Sequence, residues 1–241
     1  MLQKTSNFGK LYLIPTTLGD GEPQDVLPQI IGRTISFIDH YIVENEKTAR
    51  KSIKTVAPQK VQANLIISLL NKHTEIVDHK KMIQPCLEGQ NIGLMSEAGC
   101  PGIADPGAVI IKLAHEKGIQ VVPLVGPSSI LLAMMSSGMN GQNFAFNGYL
   151  PIENSDKKLA IKALEKLSVD KNQSQIFIET PFRNNKMLEG ILQALQPATF
   201  LCVATDITLP TEYIKTKRVS EWKNEKIDLH NRPTIFIIHK M

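Results

Sequence analysis

Short runs of apolar and β-branched residues alternate along this chain with stretches whose apolar residues recur at helical spacing, and this alternation constrains the fold most. Leu11-Tyr12-Leu13-Ile14, stopped by Pro15, reads as the first strand. A loop rich in Gly and Asp follows (18–23). Val26, Leu27, Ile30, Ile31, Ile35 and Ile38 then recur at helical spacing, and Tyr41-Ile42-Val43 reads as a second strand. The spacing predicts a helix over 61–70, a strand over 91–96, a helix from Val109 to Ala114 stopped at Gly118, a strand over 119–124 and a buried helix over 130–135. Phe144-Ala145-Phe146 closes this half as a short strand.

The polar, Pro-containing stretch 149–156 suits a linker between domains, and beyond it the pattern restarts. Leu159 to Leu167 suggest a helix, 175–178 a strand, 187–195 a helix and 200–204 a strand. The last run, Thr234-Ile235-Phe236-Ile237-Ile238, is almost wholly apolar and belongs at the centre of its sheet. Strands joined by helices in this way form a largely parallel sheet with helices on both faces. The expected fold class is α/β, organised as two small α/β domains over 1–149 and 150–241.

Composition excludes several function classes. The net charge of +4 and pI near 8.9 permit an acidic partner such as RNA without demanding one. Cys86, Cys100 and Cys202 are odd in number and form no Cys-x-x-Cys pair, which argues against a disulfide framework or zinc site and for a reducing compartment. The six histidines are scattered without ligand spacing, so no metal is expected. Residues 1–7 hold no apolar signal region, and no segment approaches ~18 uninterrupted apolar residues. The expected address is cytoplasmic, with no membrane span.

The chain lacks a Gly-x-Gly-x-x-Gly after its first strand, a Walker lysine motif, a His-Glu-x-x-His and a Gly-x-Ser-x-Gly elbow. Three other elements stand out. The first is Ser96-Glu97-Ala98-Gly99-Cys100-Pro101-Gly102-Ile103-Ala104-Asp105-Pro106-Gly107, between a strand and a helix. Open α/β sheets hold ligands there, and the glycines let backbone approach a ligand closely. Its structural reading is a stiff turn with Asp105 capping the next helix. The second is Val125-Gly126-Pro127-Ser128-Ser129, which offers backbone N–H groups and two hydroxyls at a helix N-terminus, or simply a serine cap. The third is Glu179-Thr180-Pro181-Phe182-Arg183, whose Glu179 and Arg183 suit an ion pair.

In this order and at these spacings, the three elements resemble those of the tetrapyrrole methylase superfamily, the class III S-adenosylmethionine-dependent methyltransferases. Within it they are most similar to the bacterial 16S rRNA ribose 2′-O-methyltransferase branch. That branch carries a Ser-Asp-Ala-Gly-Thr-Pro-x-Ile-Ser-Asp-Pro-Gly loop, a Val-Val-Pro-Leu-x-Gly-Pro-Ser segment and a Glu-Ser-x-His-Arg segment, matched here by 96–107, 121–128 and 179–183. The resemblance covers nearly the whole chain. It implies two α/β domains with S-adenosyl-L-methionine in a cleft between them, RNA as substrate and a homodimer.

Carried over residue by residue, the resemblance puts Pro15, Gly99, Cys100, Ile103, Ala104 and Asp105 on the cofactor pocket. Ser128 and Ser129 would bind from the far side of that domain, and Glu179, Ala204, Pro233 and Thr234 would close the pocket from the second. Three segments depart from the branch. Glu44-Asn45-Glu46-Lys47 stands for Glu-Asp-Thr-Arg, Phe182 for a histidine, and Ala204-Thr205-Asp206-Ile207-Thr208-Leu209 for Ala-Arg-Glu-Leu-Thr-Lys. A ribose hydroxyl must lose its proton during transfer, so Glu44, Glu46 and Glu97 are the catalytic carboxylates to examine, with Arg50 or Arg183 gripping phosphate. Two other readings remain on the same fold: methylation of a tetrapyrrole or other small molecule, and a cofactor-binding module without catalysis.

Overall fold

The computed structural model describes residues 8–71 and 74–240; the amino-terminal stretch read above for a signal region lies outside them. The chain divides into two compact units, 1–127 and 128–241.

The first unit runs β1 (Lys10–Ile14), α1 (Pro23–Val26), α2 (Ile30–Phe37), β2 (His40–Val43), α3 (Glu46–Val56), β3 (Ile66–Leu69), α4 (Ile76–Met82), α5 (Gln84–Leu87), β4 (Ile92–Met95), α6 (Ala108–Glu116) and β5 (Gln120–Pro123). Its five strands are all parallel, in the order β3-β2-β4-β1-β5. Alternate strand residues feed two cores. Ile14, Tyr41, Val43 and Met95 pack with Ile31 and Ile35 of α2 and Ile53 of α3. Leu11, Ile42 and Leu94 face the other way, onto Ile83, Cys86 and Ile110 beside α4 to α6. The unit is therefore a doubly wound sheet, as the strand and helix alternation predicts.

The second unit runs α7 (Ser129–Ser137), β6 (Phe144–Tyr149), α8 (Asn154–Asp170), β7 (Ser174–Ile178), α9 (Asn184–Ala194), β8 (Phe200–Thr205), β9 (Tyr213–Arg218), α10 (Val219–Trp222) and β10 (Thr234–His239). Its strand order is β6-β7-β10-β8-β9. Only β6 and β7 pair in parallel; β10 is antiparallel to β7 and β8, and β9 to β8. As its apolar sequence predicts, β10 is central. Phe177, Val203, Phe236 and Ile238 pack against Ile161 and Leu164 of α8, Met187 and Ile191 of α9 and Trp222 of α10. The Trp222 indole donates to the Leu201 carbonyl at 2.8 Å, so its one polar atom is satisfied inside the core.

Several elements differ from the sequence reading. Residues 61–70 are a single 3₁₀ turn (Gln62–Asn64) followed by β3, not a helix. Periodicity over so short an apolar run cannot separate helix from strand, and β-branched Ile66 and Ile67 suit an edge strand pairing with β2. The apolar run 26–38 is two helices, since Pro28 lacks the N–H that a continuous helix would need there. Strand β6 pairs with β7 and so belongs to the second sheet; the units divide at 127/128, whereas the sequence reading put the boundary at 149/150. The polar stretch 149–156 thus runs within the second unit, from the end of β6 into α8. The second sheet is mixed, because β8 turns back into β9 without an intervening helix. Finally, α6 begins at Ala108 after Gly107, and Asp105 does not cap it.

Candidate functional site

In the first sheet β1 and β4 lie side by side, yet their connections leave in opposite directions, β1 toward β2 and β4 past β1 to β5. Ligands of open α/β sheets bind outside the carboxyl ends of strands at such a reversal. The loop 96–107 starts there, directly after β4.

Its shape is fixed by its own atoms. The Thr16 N–H donates to Gly99 O at 3.0 Å, and the Thr16 hydroxyl donates to Ser96 O at 3.3 Å, which pins the loop to the end of β1. Gly99 has φ +74°, and a Cβ there would crowd Leu18 Cδ2 at 3.1 Å. Asp105 organises the far half: both carboxylate oxygens accept from Gly102 N at 2.9 Å, and one also accepts from Gly107 N at 2.7 Å. Burial pushes the Asp105 carboxyl up, against the lowering effect of these bonds. Ala104 sits at φ +59°, a left-handed conformation costing an alanine ~1 kcal/mol, and such strain clusters at ligand sites. Gly126 lies against Pro15 so closely that a Cβ would come within 2.2 Å of Pro15 Cβ. The Cys100 thiol points to Pro127 O at 3.3 Å, and burial raises its pKa, so it acts as a small packed group and not as a thiolate.

Residues of the first unit assigned to the cofactor therefore come together: Pro15, Gly99, Cys100, Ile103, Ala104 and Asp105 belong to one knitted surface. It fits S-adenosylmethionine chemically. Ile103 and Val125 expose apolar surface for a ring, and the N–H groups of Cys100 and Ala104 have no partner among the described residues.

The carboxylates gather at the same strand ends. Glu44, just past β2, accepts the Glu97 N–H at 3.3 Å, and Glu97 accepts the Thr48 hydroxyl at 2.5 Å. Burial pushes the Glu44 carboxyl up; the Glu97 N–H offsets this in part, and the nearby Asp105 and Glu97 charges add to the rise. Glu46 is held apart from the pair by Arg50 Nε at 2.7 Å within α3. A cavity of about 430 Å³ adjoins Glu97, between the 16–23 loop and α3. Thr48, Lys51, Ser52 and Thr55 line it, and the sequence reading missed all four. Hydroxyls at 48, 52 and 55, one helix face of α3, were the available signal.

In the second unit Ser128 caps α7, its Oγ accepting from Leu131 N at 3.5 Å, and Ser129 opens the helix. Glu179, Ala204, Pro233 and Thr234 come together at one end of the sheet, because Ile178 pairs with Ile235 and Thr205 with Thr234. Ala204 is wholly buried within its ladder. The Glu179 side chain is 1% exposed and one of its oxygens accepts from Arg183 Nη2 (2.7 Å), Thr180 N (2.7 Å) and Thr180 Oγ1 (3.2 Å). Burial works against its charge, but the Arg183 and Thr180 donors together hold its pKa below the usual range. Glu179 Oε2, Arg183 Nε and Asn184 Oδ1 are buried without partners among the described residues. Arg183 rests on the Phe182 ring at 5.1 Å, so both readings of this segment meet: the ion pair exists, and it stands among residues assigned to the cofactor. Asp206 and Thr208 have positive φ, and the Asp206 carboxylate binds Arg232 Nε at 2.7 Å and the Thr211 hydroxyl at 2.8 Å.

Among the described residues no group of His, Cys, Asp or Glu is placed to hold a metal ion. No protein-family model matches the chain. Among curated proteins it is 31% identical over 223 residues to the ribosomal RNA small subunit methyltransferase I of Bacillus subtilis, covering 91% of this chain and 72% of that protein. It is 28% identical over 234 residues to the Escherichia coli O157:H7 protein of the same name, covering 95% and 77%. Among solved structures, a uroporphyrin-III C-methyltransferase from Thermus thermophilus complexed with S-adenosyl homocysteine shares its fold, with a TM-score of 0.55, 15% identity and 96% and 98% coverage. With its loop 96–107, its doubly wound first sheet and these relatives, the chain belongs to the ribosomal RNA small subunit methyltransferase I family.

Proposed function

We propose that the chain transfers the methyl group of S-adenosylmethionine to a ribose 2′-hydroxyl of small-subunit ribosomal RNA. It is an S-adenosylmethionine-dependent methyltransferase, and the observation that carries the finer reading is the Asp105-braced loop with the Glu44–Glu97 pair at its root. In this reading Pro15, Gly99, Cys100, Ile103, Ala104 and Asp105 of the first unit hold the cofactor. When bound, the cofactor supplies a methyl group on a positively charged sulfur, which keeps the electron pair of the breaking C–S bond. The protein's main task is alignment, worth several kcal/mol with no acid or base.

The 2′-oxygen forms the new C–O bond and must shed its proton. Glu44 Oε2 takes it, because burial raises that carboxyl toward the range where a base works best. Glu97 holds Glu44 through its N–H. Arg50 or Arg183 supplies the guanidinium for phosphate, each fixed by its own ion pair, with Glu46 and Glu179 respectively. The cavity beside Glu97 carries the hydroxyls of Thr48, Ser52 and Thr55 along α3, groups suited to hydrogen-bonding a sugar. The reading carries with it a cytoplasmic homodimer; among the described residues no helix is long and apolar enough to cross a membrane.

Calorimetric titration with S-adenosylmethionine tests the cofactor site directly. Micromolar binding is expected, weakened at least about tenfold by Asp105→Ala, since hydrogen bonds to a carboxylate contribute roughly 1.5–3 kcal/mol each. A folded protein that does not bind the cofactor would overturn the reading.

A further inference from the structure

The cavity between the 16–23 loop and α3 has chemistry that the cofactor site does not use. Thr48, Ser52 and Thr55 recur down one side of α3 with Lys51 among them, and Thr16 and Glu97 also line the space. Among the described residues no aromatic ring lines it. The Ser52 hydroxyl has no hydrogen-bond partner among the described residues. Lys51 Nζ lies 2.8 Å from Asp20 Oδ1, but both side chains are largely exposed (73% and 94%), so this ion pair is weak and readily exchanged. At the other end the Thr48 hydroxyl is already committed to Glu97, the residue that holds Glu44.

A row of hydroxyls along α3, with one cation at its edge and one fixed carboxylate near the strand ends, matches a sugar joined to a monoanionic phosphate. Resting on the methyl-transfer reading above, we infer that this cavity seats the ribose and one flanking phosphodiester of the acceptor nucleotide. Lys51 Nζ leaves Asp20 for a phosphate oxygen, the Ser52 hydroxyl donates to the same group, and the Thr48–Glu97 pair faces the sugar next to Glu44. Asp20 then acts as a built-in competitor, occupying the lysine until RNA arrives.

The test uses the full chain and deproteinised small-subunit ribosomal RNA, with Lys51→Gln, Asp20→Asn and, as a control, Lys54→Gln on an exposed position of α3 outside the cavity lining. For Lys51→Gln the slope of log affinity against log salt is expected to shrink by about 0.7–0.9, the loss of one phosphate contact. KM for RNA should rise about tenfold, with kcat and calorimetric cofactor affinity unchanged. Asp20→Asn should tighten RNA binding at low salt, and Lys54→Gln should leave slope and KM near wild type. If Lys51→Gln and Lys54→Gln behave alike, Lys51 is one more surface cation and the inference fails. If Lys51→Gln instead weakens the cofactor, the cavity belongs to the cofactor and the inference fails equally. A wild-type protein that binds cofactor yet neither binds nor methylates ribosomal RNA refutes the acceptor reading itself, an outcome distinct from both.

Discussion

Glu44 and Asp105 of the first unit stand at the ends of parallel strands with burial raising their pKa, whereas Glu179 of the second is sealed under Arg183 and held below the usual range. The contrast follows from who satisfies each carboxylate. In the first unit the donors to Glu44 and Asp105 are backbone N–H groups, which bring no full charge. In the second, a guanidinium and two Thr180 donors converge on one oxygen. A carboxylate answered only by neutral donors is left with its burial uncompensated by any full charge, and so takes a proton more readily. One answered by an arginine stays charged and serves to hold position. On the proposed reading, the proton chemistry falls to Glu44 in the first unit and the clamp to Arg183 and Glu179 in the second.

The largest effect that would break this contrast is on turnover. Glu44→Gln should lower kcat by about 10²–10⁴-fold, the usual contribution of a positioned base, with cofactor affinity kept. Because the folded Glu44 pKa lies above its ordinary 4.5, the base form is lost at a pH above that value. The wild-type kcat/KM should therefore fall on the acid side at a pH above 4.5, and that limb should vanish in Glu44→Gln. A mutant that keeps the limb assigns it to another group.

Next comes stability. Arg183→Met leaves the buried Glu179 carboxylate with only its two Thr180 donors and no charged partner, and should cost about 2 kcal/mol, below the ~3–5 expected for a fully buried pair because Arg183 is 27% exposed. The Glu179 pKa is lowered on folding, so its contribution is present above about pH 4.5 and disappears as pH falls through the folded value. Thermal melts of mutant and wild type should differ at neutral pH and converge in acid. A gap that persists in acid would mean that packing on Phe182, not charge, does the holding. Glu46→Gln sharpens the comparison from below: its partner is a half-buried i, i+4 arginine paired with an exposed glutamate, and its loss should change stability by no more than about 0.5 kcal/mol. A larger change would show the Arg50–Glu46 pair of the first unit acting as a second clamp.

Much of this was legible in the residues, for identifiable reasons. The loop 96–107 announces itself because glycine, proline and aspartate are concentrated where positive φ and side-chain-to-backbone bonds are required. The same feature misled at one point: an aspartate before a proline resembles a helix cap, but Asp105 braces the loop. The 48–55 cavity was hidden because each of its hydroxyls is unremarkable alone and only the helix of α3 aligns them. Strand β9 was hidden because Lys215, Lys217 and Arg218 make an edge strand read as a solvated loop; such charges are a common protection of sheet edges. The division at 127/128 was obscured because it falls inside the Gly-Pro-Ser-Ser motif, whereas the polar, Pro-containing stretch 149–156 has the composition of a linker. The direction of the strands in the second sheet was beyond reach, since alternation alone does not say which way a strand runs.

The central place of β10 has a consequence in time. Strands β7 and β8 have no direct pairing with each other; each meets β10, which emerges from the ribosome after both. During synthesis the second unit thus carries β6 with β7, and β8 with β9, as two half-sheets with apolar faces and open inner edges. The first unit, complete at residue 127, has every strand it needs far earlier. Nascent chains released before β10 are therefore the species most exposed to misassociation, and folding of the second unit waits for its last strand as a zip waits for its slider.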